Sequence, residues 1–222
     1  MEGRITLNDN PVDHLGCQVN PDQDKVALDG NLISIPKRYR YVLLNKPAGT
    51  ITSAIDGRGR ITVMDVIEAK ERLFPVGRLD YDTTGVLLLT NDGDLAHRLA
   101  HPRFEVEKIY RAWAEGEIEQ QTIERLKAGV EIEAGMVVSG ESRILQKKNG
   151  KTLVEIQVHE GKKRQIKRML KSVGHPVIQL TRLNFAGLTV DDLKEGEQRD
   201  LTESEVQELY HKVGLNKKNT KH

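Results

Sequence analysis

The sequence predicts an α+β fold, a mainly antiparallel sheet with flanking helices, preceded by a small β-rich N-terminal piece. Short apolar runs and two-residue alternations outnumber segments of helical spacing, and they follow one another in hairpin-like order. That favours an α+β sheet over a doubly wound parallel one. Turn formers punctuate these runs. The 222 residues, 37% hydrophobic and 30% charged, suffice for one good core with a small appendage.

Residues 3–35 read as the small β-rich piece, because Asn8-Asp9-Asn10 and Asp29-Gly30 separate apolar positions in "RITLNDNPV" and "DKVALDGNLI". "PKRYR", Pro36 to Arg40, reads as a linker. "YVLLN" from Tyr41 is a buried strand that stops at the turn Lys46-Pro47-Ala48-Gly49. "SAIDGRGR" is a basic loop and "ITVMDVIE" a short helix. "VLLLT" from Val86 is a buried strand ended by the turn Asn91 to Asp94, and "LAHRLAHP" is a helix stopped by Pro102. "EKIYRAWAEG" alternates Ile109, Arg111 and Trp113 against Tyr110, Ala112 and Ala114, a strand with two faces; Trp113 is assigned to the core. "EQQTIERLKAG" is a helix closed by Gly129, and "KTLVEIQVHEG" a strand. "KRQIKRMLKSVG" is a helix with Ile166, Met169, Leu170 and Val173 on one stripe. "HPVIQLTR" is a strand, "TESEVQELYHKVG" the last helix, and residues 214–222 a mobile tail. The expected organisation is residues 1–38, 39–213 and 214–222.

The apolar runs are too short to span a membrane, and "MEGRITLNDN" has no stretch of signal-peptide length. A single cysteine, Cys17, supports neither a disulfide framework nor a zinc site. A cytoplasmic location is expected. The net charge of +1 hides a segregation. "GKKRQIKRMLK", Gly161 to Lys171, holds six basic residues and no acid, whereas Asp191 to Glu208 holds eight acids against Lys194 and Arg199. A solvated helix face intersperses acids to relieve like-charge repulsion; their absence points to a polyanion partner. A helix pinned by its apolar stripe would offer phosphates a rack of cations and, just after Gly161, its N-terminal N–H groups.

Asp80 in "GRLD" precedes the buried strand, on a loop rich in turn formers. A carboxylate mounted so firmly suits a nucleophile, although an isolated aspartate more often caps a turn. Asp82, before Thr83-Thr84-Gly85, fits the capping role better. Tyr110 is either a packed aromatic or a ring for base stacking with a phenol able to move a proton.

Four stretches together resemble, in the same order, the motifs of the RsuA/RluB-type ribosomal RNA pseudouridine synthases. They are "LLNKPAG" from Leu43, "GRLDYDTTGVLLLTNDG" from Gly77, "EKIYRAWAEG" from Glu107 and "HEGKKRQIKRML" from His159, spanning roughly residues 39 to 210. The resemblance implies isomerisation of a specific uridine to pseudouridine in ribosomal RNA, or in a ribosome assembly intermediate, on a flipped-out base, by a monomer that needs no metal or cofactor. It makes Asp80 the nucleophile, Tyr110 the stacking tyrosine, Lys167 the cation paired with the catalytic carboxylate and Ile166 the aliphatic wall. Arg78, Arg164, Lys163, Arg168 and Lys46 join Ile166 as substrate-binding residues. Arg164 stands where small-subunit enzymes usually carry His, so the large-subunit branch is expected. Such enzymes usually open with an alpha-L RNA-binding domain, and "MEGRITLNDNPVDHLG" resembles its β-half without the two leading helices; residues 1–38 are expected to be such a truncated domain and linker. The rivals are a non-catalytic RNA-binding protein that keeps the fold and a retaining glycosidase-like hydrolase. The former has no use for Asp80. The latter needs a second carboxyl about 5 Å from the first, and i, i+2 side chains on a turn such as Asp80 and Asp82 are not expected to converge.

Overall fold

The computed structural model describes residues 3–20, 23–33, 38–54 and 56–215. The chain divides into two compact units, one ending at Tyr39 and the other beginning at Arg40. The expected tail from residue 216 and the first two residues of the expected linker lie outside the described residues.

The first unit is a small antiparallel sheet of β1 (Ile5–Leu7), β2 (Asn10–Pro11), β3 (Val26–Leu28) and β4 (Asn31–Ile33), in the order β2-β1-β3-β4. Its two tight hairpins turn at Asn8-Asp9 and Asp29-Gly30, with φ of 50°, 67°, 51° and 78°. Positive φ at both central residues is what matches a two-residue turn to the twist of its strands, and Asn, Asp and Gly tolerate it best.

The second unit is built on a sheet of eight strands. In chain order these are β5 (Tyr41–Lys46), β6 (Phe74–Pro75), β7 (Thr83–Thr90), β8 (Lys108–Glu115), β11 (Glu141–Lys148), β12 (Lys151–Val158), β13 (Val177–Phe185) and β14 (Gln198–Asp200). They run β11-β12-β8-β13-β7-β5-β14, with β6 beside β7. Only β13 and β7 pair in parallel, and the other ladders of this sheet are antiparallel. A separate ribbon is formed by β9 (Val130–Glu133) and β10 (Met136–Val138). The helices are α1 (Val63–Val66), α2 (Gly93–Ala100), α3 (Gln120–Ala128), α4 (Gln165–Ser172) and α5 (Glu203–Lys212). This is the α+β architecture read from the sequence, now with a mixed sheet. The ribbon and β11 escaped that reading, because "VEIEAGMVVSGESRILQKK" mixes charges into its alternation.

Every residue of β7 is buried. Leu43, Val86 and Leu88 pack beneath α2 and α5, with Leu95, Leu99, Val206 and Leu209. On the other side Val42, Leu44, Leu87 and Leu89 pack with Val63 and Leu79. Tyr110 touches that cluster and also the one in which Ala112, Val154 and Ile156 meet Ile123 and Leu126 of α3 and Ile166, Met169 and Leu170 of α4. Trp113 belongs to none of these clusters. It is half-buried, and Arg111, Lys148, Lys151, Ile178 and Gln179 around it are exposed. The core assignment from sequence therefore fails: alternation fixes which face Trp113 is on, but not whether a helix covers that face.

Candidate active site

The chain folds the Asp80 loop against the sheet by a set of short bonds. Gly85, at φ 103°, lets β7 lie against β13, since a Cβ there would sit 2.1 Å from the Arg182 carbonyl oxygen. Thr83 then pairs with Leu180 of β13, and Arg182 of β13 pairs with Tyr110 of β8. The start of β7, the middle of β13 and the middle of β8 so become neighbours. Upstream, the Thr52 hydroxyl donates to the Leu79 carbonyl at 2.9 Å and accepts from the Leu79 N–H at 3.2 Å. The Gly49 N–H donates to the Tyr81 carbonyl at 2.8 Å. The Lys46 ammonium, fully buried, donates to the carbonyls of Pro47 at 3.0 Å, Thr83 at 2.9 Å and Tyr81 at 3.4 Å. Burial lowers its pKa from 10.5 to about 8, against the raising pull of Asp82 and Asp80. Lys46 was expected to bind substrate. With its ammonium enclosed and committed to three carbonyls it holds the loop instead.

Asp80 opens into a pocket lined by Arg78, Leu79, Thr83, Tyr110, Val158, Leu180 and Ile166, with Glu160, Gly161, Lys162, Arg164 and Gln165 from the segment before α4. Of the predicted site residues, Asp80, Tyr110, Ile166, Arg78 and Arg164 share this pocket. Lys167 brings its ammonium to 3.7 Å from Asp80 Oδ2. Its hydrogen bond, however, is to Asp82 Oδ1. That bond, with burial opposing it, holds the Asp82 carboxyl below its ordinary 3.8. Two carboxylates thus do converge on one cation, contrary to the expectation for an i, i+2 pair. The turn closed by Thr83 N–H on the Asp80 carbonyl, at 3.1 Å, points both toward α4.

The basic segment differs from its expected form. Helix α4 begins at Gln165, not directly after Gly161. Arg164 is left-handed at φ 55°, and the buried Gln165 side chain accepts from the Lys162 N–H at 2.9 Å and donates to Glu160 at 3.1 Å. Residues 161–164 are therefore a non-helical segment, of which Gly161, Lys162 and Arg164 line the pocket together with Glu160 and Gln165. Arg78, Lys163 and Arg164 are exposed and free of ion pairs among the described residues. Arg168, expected to bind substrate, is paired with Glu133 at 3.1 Å on β9. Gln165 and Thr83 are pocket residues that went unread in the sequence. Gln165 was hidden as the lone neutral polar residue of a basic run. Thr83 was taken as a turn former, yet its hydroxyl is buried in the pocket wall with no hydrogen-bond partner among the described residues.

Among the described residues no group of three or more metal-ligating side chains converges, and no helix is long and apolar enough to cross a membrane. A family model described as RNA pseudouridylate synthase matches residues 40–172. An uncharacterized RNA pseudouridine synthase of Aquifex aeolicus is 42% identical over 97% of this chain and 87% of its own length. Ribosomal large subunit pseudouridine synthase B of Bacillus subtilis is 37% identical over 94% of this chain and 86% of its own. A crystal structure of a pseudouridylate synthase superposes with a TM-score of 0.72 at 27% identity, covering 93% of this chain and 89% of that one.

Proposed function

From the premise that the chain belongs to the RNA pseudouridylate synthase family and is an RsuA/RluB-type RNA pseudouridine synthase, an isomerase, we propose that Asp80 is the nucleophile acting on a flipped-out uridine of ribosomal RNA, in the large subunit. The observation that carries this reading is the Asp80 carboxylate inside a pocket walled by Tyr110, Ile166 and Leu180, with an ammonium 3.7 Å away. The reaction breaks the bond from ribose to a ring nitrogen, turns the uracil and rejoins it through a ring carbon. Substrate and product are isomers, so a carboxylate that adds and later leaves balances it. Taking the uridine out of its stack costs about a few kcal/mol. Stacking on an aromatic such as Tyr110 returns about 1–3 kcal/mol. Exposed Arg78, Lys163 and Arg164 at the rim suit the flanking phosphates. Lys167, 3.7 Å from Asp80 and hydrogen-bonded to Asp82, keeps the Asp82 carboxylate charged beside the nucleophile, because an opposite charge within a few Å favours the ionised form. The large-subunit assignment draws on Arg164 in "GKKRQ" and on the likeness to the Bacillus enzyme. In this reading the unit from Arg40 carries the chemistry, the small β unit adds RNA contacts, and the enzyme works in the cytoplasm.

The test is Asp80→Asn, with pseudouridine mapped in both ribosomal RNAs from cells carrying either form. We expect one large-subunit position to lose its modification while the purified variant still folds and binds RNA. Pseudouridine formed by purified Asp80→Asn sinks the nucleophile assignment, and loss at a small-subunit position instead sinks the branch.

A further inference from the structure

We propose that the β11–β12 hairpin and the open sheet face beside it form a second contact for single-stranded RNA, with Trp113 as a stacking platform and Lys148 and Lys151 as phosphate partners. The proposal rests on the reading of the chain as an RNA-modifying enzyme and adds a surface separate from the Asp80 pocket.

Side chains alternate along β8, so Trp113 projects from the face opposite Tyr110. Leu153 of β12 and Gln179 of β13 flank it in the ladder. Lys151 precedes Leu153 by two residues and shares its face. Lys148 pairs with Lys151 where the hairpin turns through Asn149 and Gly150, both at positive φ. Together with Ile178 and Gln179 these residues ring a shallow depression with the indole in its wall. Diagonal cross-strand neighbours lie about 7–8 Å apart, which puts Lys151 within reach of a phosphate attached to a base on the ring.

Charge separates an RNA partner from a protein one. Lys147, Lys148 and Lys151 form no ion pair among the described residues. Glu155 on the same face is already held by Arg143 at 2.5 Å and Arg111 at 3.6 Å. Glu115, opposite Lys151 in the ladder, likewise makes no ion pair among the described residues. Protein interfaces enrich Trp but deplete Lys, whereas an aromatic ring edged by unpaired cations is how single-stranded nucleic acid is held without sequence preference. A duplex offers no free base face to the ring, so the partner is single-stranded.

Trp113 is the only tryptophan of the chain, so its emission reports on this face alone. The experiment titrates the full chain with a short single-stranded oligouridylate carrying a fluorescent end label. Binding is followed by anisotropy of the label, and stacking by indole emission. The expected result is quenching that saturates with binding. Lys148→Gln/Lys151→Gln should lose most of the quenching and lower the slope of log affinity against log salt by about 1.4 units, two phosphate contacts at about 0.7 each. Binding by anisotropy with unchanged Trp113 emission, or equal quenching by duplex RNA, overturns this inference and leaves the pocket intact. Quenching that survives the double substitution overturns the role of the lysines. Failure to bind RNA of any kind overturns both this inference and the functional reading beneath it.

Discussion

Replacing Lys46 by Met keeps the length and bulk of the side chain and removes only the ammonium. Three carbonyls then lose one donor each: those of Pro47 and Thr83, at 3.0 and 2.9 Å, and more weakly that of Tyr81 at 3.4 Å; Pro47 keeps the Thr50 hydroxyl and Tyr81 the Gly49 N–H. The two short bonds involve a charged donor and are each worth about 1.5–3 kcal/mol. Against this stands the cost of burying a charge at a fully enclosed position. A pKa drawn from 10.5 down to about 8 corresponds to about 3 kcal/mol. The two nearly offset, so the net loss of global stability should be no more than about 3 kcal/mol. Activity should fall much further, because the loosened carbonyls of Tyr81 and Thr83 lie just after Asp80 and a shift of about 1 Å costs roughly a hundredfold in rate. The pH dependence has a definite sign. Between about pH 8 and 10.5 the unfolded chain keeps a proton on Lys46 that the folded chain has released, so stability rises with pH across that window. The destabilising contribution is fully present below it. Urea unfolding of both forms from pH 7 to 10.5, beside single-turnover rates at pH 7, measures each part. A wild-type rate in Lys46→Met refutes the positioning argument, and stability curves that stay parallel across the window refute the assignment of the buried charge.

Four further outcomes follow from the pocket and the basic helix beside it. Tyr110→Phe keeps the ring among Ile166 and Leu180 and should retain most of the RNA affinity while losing much of the turnover; normal turnover confines Tyr110 to stacking. Thr83→Val removes a buried hydroxyl that has no partner among the described residues, so thermal unfolding should hold steady or rise by the equivalent of about 1 kcal/mol. If that hydroxyl meets the substrate, the single-turnover rate drops about tenfold, and an unchanged rate rejects the contact. Lys167→Met takes the cation from Asp82 and Asp80 together and should slow bound RNA. The variant's rate should also fall off at higher pH than the wild type's on acidification, because the Asp82 carboxyl loses what holds it low. Lys171→Met, exposed one turn on, should instead lower the salt slope of binding by about 0.7–0.9. Identical behaviour of the two variants, both changing only salt-dependent affinity, would remove Lys167 from the site.

What the sequence determined by itself is whatever depends on neighbours a few residues away. Alternation placed Tyr110 opposite Trp113, the four-residue apolar run marked β7, and Asn8-Asp9 and Asp29-Gly30 marked the first unit's turns. The ordered motifs named Asp80, Tyr110, Ile166 and Lys167, which the folded chain gathers around one pocket. The partner of each charge, by contrast, was settled by long-range packing. Lys46 reads as a turn cation, but β5 lies between β7 and β14, so its ammonium ends inside and serves the loop. Arg168 reads as one of a basic row, yet β9 brings Glu133 to it from 35 residues away. Asp82 reads as a cap, yet it takes the hydrogen bond of a lysine 85 residues on. The start of α4 moved to Gln165 because one buried amide bonds back to Lys162 and Glu160. Trp113 stayed uncovered because α3 and α4 pack with Tyr110 on the other face. Backbone periodicity repeats over two to four residues and is written locally. A charge settles with whichever opposite group or carbonyl long-range packing brings within about 4 Å, and that distance is set by strand order rather than by spacing along the chain.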